Sequence, residues 1–290
     1  ARLPDAKARP MVQSDWQRKL LDKSELWAVP VLLSLEKNVV LAPLMDRRYE
    51  AFARDGDTIH VPGVAAFTAR TLTNMTGTLT FDANTESVTN IVIDTAIYHA
   101  IKVDDAATIQ SSYPMTDYYG TKQGIALGLK LDTDIGVVMD TFTQSEGTDN
   151  FDLTDDDILG AVEQVDVANG DPADRMAAIS TKTHESMKKV DKYINSLYAP
   201  STGGVAAAKG RGYVGTLHNA DWYVSTNLPA GTLGTVNFYW QREAVALVVQ
   251  DDLNVTVRMP HDEFAEAIRV KMIYGIKLMR NTVGVELRGK

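Results

Sequence analysis

Alternating polar and apolar positions between residues 56 and 103 predict two strands, of which the second is unusually long. Residues 57–61 have a short strand pattern that ends at Pro62. Residues 91–103 alternate without interruption, and the odd-numbered positions from Ile91 to Val103 share one face. This second pattern is far longer than a mean strand of about five or six residues. Because strands of such length are typical of a hairpin that projects from a sheet, we expect residues 56–62 to pair with part of residues 88–103.

A second hairpin is predicted between these strands, at residues 69–81. A turn at residues 74–77 would place Leu72 opposite Leu79 on one face and a row of threonines on the other. A two-stranded hairpin is only marginally stable alone in water, so we expect its apolar face to pack against a neighbouring subunit. The predicted inter-subunit contacts are Arg70, Leu72, Met75, Leu79 and Phe81.

Apolar residues at spacings of three and four predict a long helix after Pro114, over residues 116–142. At 1.5 Å per residue this helix would be about 35–40 Å long and would act as a strut. Shorter helices are predicted over residues 25–35, from Thr154 onward, and over residues 180–197.

Strand patterns return in the C-terminal half of the chain. They lie at residues 212–217, 222–226, 270–278 and 283–287. We expect the last strands to rejoin the sheet that begins before residue 110, which would make the middle of the chain an inserted second domain. Helices and strands therefore mix without regular alternation, and the predicted fold class is α+β.

The composition predicts a folded protein and argues against several classes of function. The chain has 290 residues, 44% of them hydrophobic, a formal net charge of −9 and no cysteine. The missing thiols exclude disulfides, thiolate metal sites and cysteine nucleophiles, and the acidic charge argues against a nucleic-acid reader. The apolar run over residues 26–45 is interrupted by Glu36, Lys37 and two prolines, so it is interpreted as a buried segment and not a membrane span.

One glycine pattern suggests an alternative function, that of a nucleotide-binding enzyme. Gly210, Gly212 and Gly215 have the spacing of the dinucleotide fingerprint, in which backbone amides approach a pyrophosphate at a helix N-terminus. Here the pattern follows an Ala- and Gly-rich loop, precedes strand residues, and lacks an acidic residue about twenty positions on. A turn is therefore the favoured interpretation.

The remaining polar motifs favour structural roles. The three aspartates at residues 155–157 would fan around a helix at about 100° each, so helix capping is favoured over a metal site. The His184-Glu185 pair lacks the second histidine of a zinc protease because Lys188 occupies its place. His99, on the apolar strand face, is interpreted as a satisfied core residue. We therefore expect no enzyme activity and no catalytic, cofactor or metal site.

Taken in chain order, these segments resemble a tailed-bacteriophage major capsid protein of the Hong Kong 97 type. The resemblance covers nearly the whole chain as a collinear series of short patterns. It begins with Gly56-Asp57-Thr58, at the strand before an extended loop, and continues with residues 101–105 before a spine helix. The later residues that carry it are 174–180, 212–215, 223–229, 244–250, Tyr274-Gly275 and Arg280.

The resemblance implies a domain organisation. Residues 1–45 would form an N-terminal arm and residues 63–87 an extended β-hairpin loop. The axial domain, which meets its copies at a capsomer centre, would comprise residues 144–264. The peripheral domain would comprise residues 46–62, residues 88–143 with the spine helix, and the C-terminal strands at residues 265–290.

The resemblance also implies a function. The chain would assemble with itself into hexamers and pentamers of an icosahedral phage head that encloses double-stranded DNA, in a virion assembled in the host cytoplasm. A scaffolding protein and a portal are expected partners, a decoration protein is a further candidate, and no membrane is involved. Residues 63–87 contain no lysine, so the loop isopeptide crosslink of some family members is not expected. The alternatives are an encapsulin-type nanocompartment shell and a virion decoration or fibre protein.

Overall fold

The computed structural model describes residues 27–35, 39–54, 56–64, 69, 71, 86–104, 115–189, 212–231, 234–259 and 264–289. Helices α1 to α4 comprise residues 27–35, Met115–Met139, Asp155–Val167 and Thr181–Met187. The strands β1 to β11 are Thr58–Val64, Glu86–Val92, Thr95–Asp104, Gln144–Gly147, Arg175–Ile179, Tyr213–Leu217, Ala220–Val224, Thr235–Gln241, Val245–Arg258, Ala265–Leu278 and Gly284–Gly289.

The first two strands form a two-stranded ribbon, which confirms the predicted pairing. β1 runs antiparallel to β2, with Thr58 opposite Val92 at one end. Pro62 lies inside β1, although the sequence pattern predicted that this strand would end there. Ile93 N donates to Asp57 O at 2.7 Å, and hydrogen-bonded and non-bonded pairs alternate along an antiparallel ribbon. Pro62 therefore falls in a non-bonded pair, where the N–H that proline lacks is not needed.

The prediction of one uninterrupted strand over residues 91–103 is wrong, because the chain changes sheets within it. β2 ends at Val92, and β3 begins at Thr95 in a three-stranded sheet of order β3-β10-β9. Gly275 of β10 permits this crossing, since a Cβ there would lie 2.3 Å from the Val92 carbonyl oxygen. Odd-numbered positions remain the less exposed ones on both sides of the break, so the pattern resembles a single strand.

The long helix α2 packs along one face of the three-stranded sheet and confirms the predicted strut. It has 25 residues, about 37 Å at 1.5 Å per residue, and it ends at Met139, before the predicted residue 142. Its buried Leu131 and Ile135 belong to the same core cluster as Met272 of β10. The helix is therefore held to the sheet by a continuous apolar core.

The last two strands join different sheets. β10 pairs with β3, as predicted, whereas β11 pairs with β8 and β4 in a six-stranded sheet of order β4-β11-β8-β5-β7-β6. Val285 and Leu287 of β11 are fully buried there. Strands of the two sheets thus alternate in groups along the sequence. The division of the chain into arm, loop, peripheral and axial domains stays a prediction.

Side-chain caps begin the two helices that flank β5. At the start of α3 the Asp157 N–H donates to Thr154 Oγ1, and the Thr154 N–H donates to the Asp157 carboxylate. This capping box confirms the structural interpretation of the aspartates. Ser180 caps α4, which ends at Met187, earlier than predicted; residues 190–197 lie outside the described residues.

Candidate assembly surface

The β1–β2 ribbon has one packed face and one open face. On the packed face Ile91 is buried in a small apolar cluster with side chains of β9. On the open face Val88 and Val92 are 61% and 44% exposed, and His60 and Asn90 share a side-chain hydrogen bond of 2.7 Å between them. The ribbon is therefore anchored on one side and presents apolar groups to solvent on the other.

The five predicted contact residues fall in the sequence between the two strands of this ribbon. β1 ends at Val64 and β2 begins at Glu86, so the chain between them starts and ends at the same tip. The structure does not describe the predicted contacts, and their role stays a prediction. They are Arg70, Leu72, Met75, Leu79 and Phe81.

Helix α1 crosses α2 at an unusually short distance. A Cβ on Gly124 would lie 2.3 Å from the Val31 carbonyl oxygen, and a Cβ on Gly120 would lie 2.9 Å from the Pro30 ring. Real Cβ contacts essentially never fall below 3.0 Å, so glycine at both positions sets how closely the two helices approach. This approach buries Val31 completely.

The opposite side of α1 is apolar and exposed. Val29, Leu32 and Leu33 follow helical spacing and are 59%, 36% and 50% exposed. The prediction that residues 26–45 form a buried segment is therefore wrong for this stripe, because α2 covers the other side of α1. A helix that is apolar all round is normally buried, so the stripe is a candidate for contact with another chain.

A fully buried carboxylate fixes the segment that follows α1. Asp132 of α2 accepts hydrogen bonds from the backbone N–H groups of Val40, Leu41 and Ala42 at 2.8, 3.1 and 3.4 Å. Burial raises the pKa of this carboxyl, although these bonds and one from the Asn227 side chain favour its ionised form. Sequence reasoning missed this residue; the available signal was an aspartate on the apolar side of the long helix.

A second polar contact ties α2 to the three-stranded sheet. The Tyr274 hydroxyl of β10 donates to Asp134 at 2.6 Å, and Lys130 Nζ lies 2.5 Å from the same carboxylate. Burial raises the pKa of Tyr274 far above its ordinary value, and Asp134 raises it further, so the hydroxyl keeps its proton. The contact has a structural role, since it fixes the position of the helix on the sheet.

The glycine pattern does not form a phosphate-binding loop in its described part. Gly212 has φ +81°, and a Cβ there would lie 2.6 Å from the Val224 carbonyl oxygen, so a close backbone approach explains this glycine. Gly215 lies inside strand β6, and no helix begins there. Gly210 lies outside the described residues. The geometry therefore favours the predicted turn and strand over the cofactor site.

The other candidate residues are dispersed through the fold. His99 faces the core and is half-buried, but its Nδ1 has no hydrogen-bond partner among the described residues, so it is not the satisfied histidine that was predicted. Burial lowers the pKa of His184 in α4, and Lys188 lowers it further. Within the described ranges no group of three or more His, Asp or Glu side chains could hold a metal ion. No helix of the described chain is long and apolar enough to cross a membrane.

Comparison with known proteins identifies the fold. No family model and no curated protein matches the sequence. A solved structure from Mycobacterium phage Che8 matches with a TM-score of 0.74 at 23% identity, over 87% of this chain and 93% of that one. The capsid structure of cyanophage P-SCSP1u matches with a TM-score of 0.67 at 18% identity, over 88% and 89%.

The chain has the fold of tailed-phage capsid proteins. This capsid fold confirms the α+β class and the predicted resemblance to the Hong Kong 97 type. A virus-like particle from Pyrococcus furiosus shares it at a lower TM-score of 0.57 and 13% identity, over 91% of this chain and 98% of that one. Identities this low show a common fold, so the function has to be argued from the surfaces of this chain.

Proposed function

We propose that this chain is a major capsid protein, which assembles into the hexamers and pentamers of an icosahedral phage head around double-stranded DNA. The observation that carries the proposal is the fold match over almost the full length of both chains, 87% and 93% for the phage Che8 structure. A match of this extent covers most of both chains, so the likeness is not confined to one motif.

The apolar surfaces of the ribbon and of α1 support association with other copies. Val88 and Val92 on the ribbon and the stripe of Val29, Leu32 and Leu33 expose large apolar side chains on separate elements. Covering them in an assembly would remove this apolar area from water. A shell needs only modest interfaces, each near or below about 1,600 Å² in total, because many of them act together.

The extended loop at residues 63–87 is proposed to reach a neighbouring copy. It starts and ends at the tip of the ribbon. Its contacts would be Arg70, Leu72, Met75, Leu79 and Phe81. The proposed peripheral and axial domains, the virion location and the scaffolding and portal partners belong to the same proposal.

Light scattering on a sizing column, with negative-stain imaging of the main peak, tests this function. The full chain should form closed polyhedral shells, alone or when co-expressed with a scaffolding protein. A stable monomer or small oligomer that scaffold does not convert into shells would contradict the proposal.

A nanocompartment shell is the second candidate, supported by the match to the Pyrococcus furiosus virus-like particle. The contents of particles from the natural source separate the two functions. A phage head should protect double-stranded DNA from nuclease, whereas a nanocompartment should contain a cargo protein and no protected DNA. The nucleotide-binding alternative predicts a thermal shift with NAD, which the strand geometry around Gly215 argues against.

A further inference from the structure

The open face of the three-stranded sheet is basic, although the chain as a whole is acidic. Helix α2 covers one face of this sheet, and the other face carries the exposed Lys102, Arg258 and Arg269 together with the half-buried Lys271. Two carboxylates border this group: Asp251 lies 3.2 Å from Lys271 at one end, and the exposed Asp104 follows Lys102 on β3 at the other. Tyr98, 73% exposed, adds an aromatic ring to the same face.

The strand register places these cations in adjacent rows. Rows on one face of a sheet are two residues apart, about 6.8 Å, and neighbouring strands are about 4.8 Å apart. The four cations therefore occupy an area about 14 Å long and 10 Å wide, and the side chains between them are short, which leaves the face flat. The rows across β3, β10 and β9 are Lys102, Ala267 and Arg258; Ala100, Arg269 and Thr256; and Tyr98, Lys271 and Asn254.

A strongly acidic surface lies elsewhere on the same chain. Between Lys130 and Arg175 the sequence contains thirteen Asp and Glu residues and no Lys or Arg, whereas outside this stretch Lys and Arg outnumber the acids. Helix α3 lies in the stretch and packs its Ile158, Ala161 and Val165 side inward. The acidic side chains are therefore concentrated in this stretch of the chain.

The outward side of α3 has a shape and charge that suit the basic face. Asp156, Leu159 and Glu163 are all exposed and follow one another at helical spacings of three and four, opposite the buried side. The two carboxylates are about 10.5 Å apart along the axis, within the length of the basic rows. In its own chain α3 packs on β4, β8 and β11, so its acidic side is turned away from these strands.

We infer that helix α3 of a second copy docks on the open face of the β3-β10-β9 sheet. Asp156 and Glu163 would face Arg258 and Arg269, and Leu159 would lie between them over the short side chains of Ala267 and Thr256. We assign a second copy to this face because the acidic side of α3, on this same chain, has the complementary charge and a matching length. This inference rests on the proposed shell function, since it concerns a contact that only an assembly makes. Such a contact would set the register between copies and would weaken with salt.

A charge exchange in the full chain tests this contact. Like charges placed opposite each other cost several kcal/mol, so R258E/R269E should lower the yield of shells at least about tenfold, and D156K/E163K should do the same. The chain with all four substitutions should recover shells to within about twofold of wild type. R258Q/R269Q, which adds no repulsion, should give an intermediate yield. The matched control is K182E/K188E, two exposed lysines in and directly after α4 whose reversal changes the net charge by the same amount as R258E/R269E.

The outcomes separate this inference from the proposed function. Normal shells from R258E/R269E would overturn the docking contact and leave the capsid function intact, whereas a wild-type chain that forms no shells would overturn the function itself. Loss of shells without recovery in the four-substitution chain would overturn the inference that α3 of a second copy docks on this face. Melting curves of the unassembled variants check that each one folds, and a variant that does not fold is replaced by the uncharged variant at the same positions, R258Q/R269Q or D156N/E163Q.

Discussion

A methyl group added at Gly124 should loosen α1 from α2. The new Cβ would lie 2.3 Å from the Val31 carbonyl oxygen, 2.9 Å from Ser34 Cβ and 3.0 Å from Leu35 N. Two of these three atoms are backbone, so α1 has to move away by about 1 Å to relieve the contact. Overpacking of this kind costs about 1–3 kcal/mol.

Gly160→Ala is the matched control for Gly124→Ala. Both glycines lie inside helices, so both substitutions gain up to about 1 kcal/mol in helix propensity. At Gly160, however, the new Cβ would meet only the Glu146 carboxylate, at 3.1 Å or more, and this flexible side chain can move aside. The difference between the two variants therefore isolates the overpacking cost, and we expect it to be about 1–3 kcal/mol.

Hydrogen exchange of the peptide that covers residues 27–35 measures this difference directly. Exchange in Gly124→Ala should be about 5- to 150-fold faster than in Gly160→Ala, since each 1.4 kcal/mol of local stability is a factor of ten. Because α1 also carries the exposed stripe of Val29, Leu32 and Leu33, assembly should weaken in the first variant only. Equal exchange in the two variants would refute the argument that glycine is required for this helix crossing.

Other changes should have equally specific effects. Asp132→Ala leaves three buried N–H groups without their acceptor, at about 1–3 kcal/mol each, so urea unfolding should show a loss of about 3 kcal/mol or more. Burial raises the pKa of Asp132, so the folded chain holds this proton more tightly; wild-type stability should fall relative to Asp132→Asn as pH rises from the ordinary value of 3.8. An unchanged difference across that range would contradict the direction of the shift. Thr154→Ala removes the α3 cap and should cost about 0.5–2 kcal/mol by thermal melting, with Thr133→Ala, exposed on α2, as the comparison. Deletion of residues 68–81 should leave a folded chain that builds no stable shells by light scattering, and normal particles would count against the loop contacts.

Local patterns were enough to predict the ribbon, the long helix and the helix caps. The ribbon pairing followed from alternation on both sides of a turn-rich segment, and the capped start of α3 followed from Thr154 and the aspartates of its first turn. These features depend on residues near one another in the chain, so the sequence contains all the information that they need.

The candidate surfaces required the tertiary structure. The sequence around α1 does not show that α2 covers only one of its sides. The exposure of Leu33 could therefore not be predicted from the apolar residues 26–45. The hydrogen bonds of Asp132 join residues about ninety positions apart, and the basic face exists because register brings Lys102 beside Arg258 through β10.

The sequence by itself determined the α+β class, the order of the main elements and the absence of any thiol chemistry. Periodicity and capping are properties of single elements, and they persist whatever the elements pack against. Only the tertiary structure decided that the chain changes sheets after Val92, that β11 joins the six-stranded sheet, and which apolar and charged faces remain open. Those outcomes depend on which faces meet, and that is decided by packing between segments distant in sequence, such as Gly275 beneath the crossing chain.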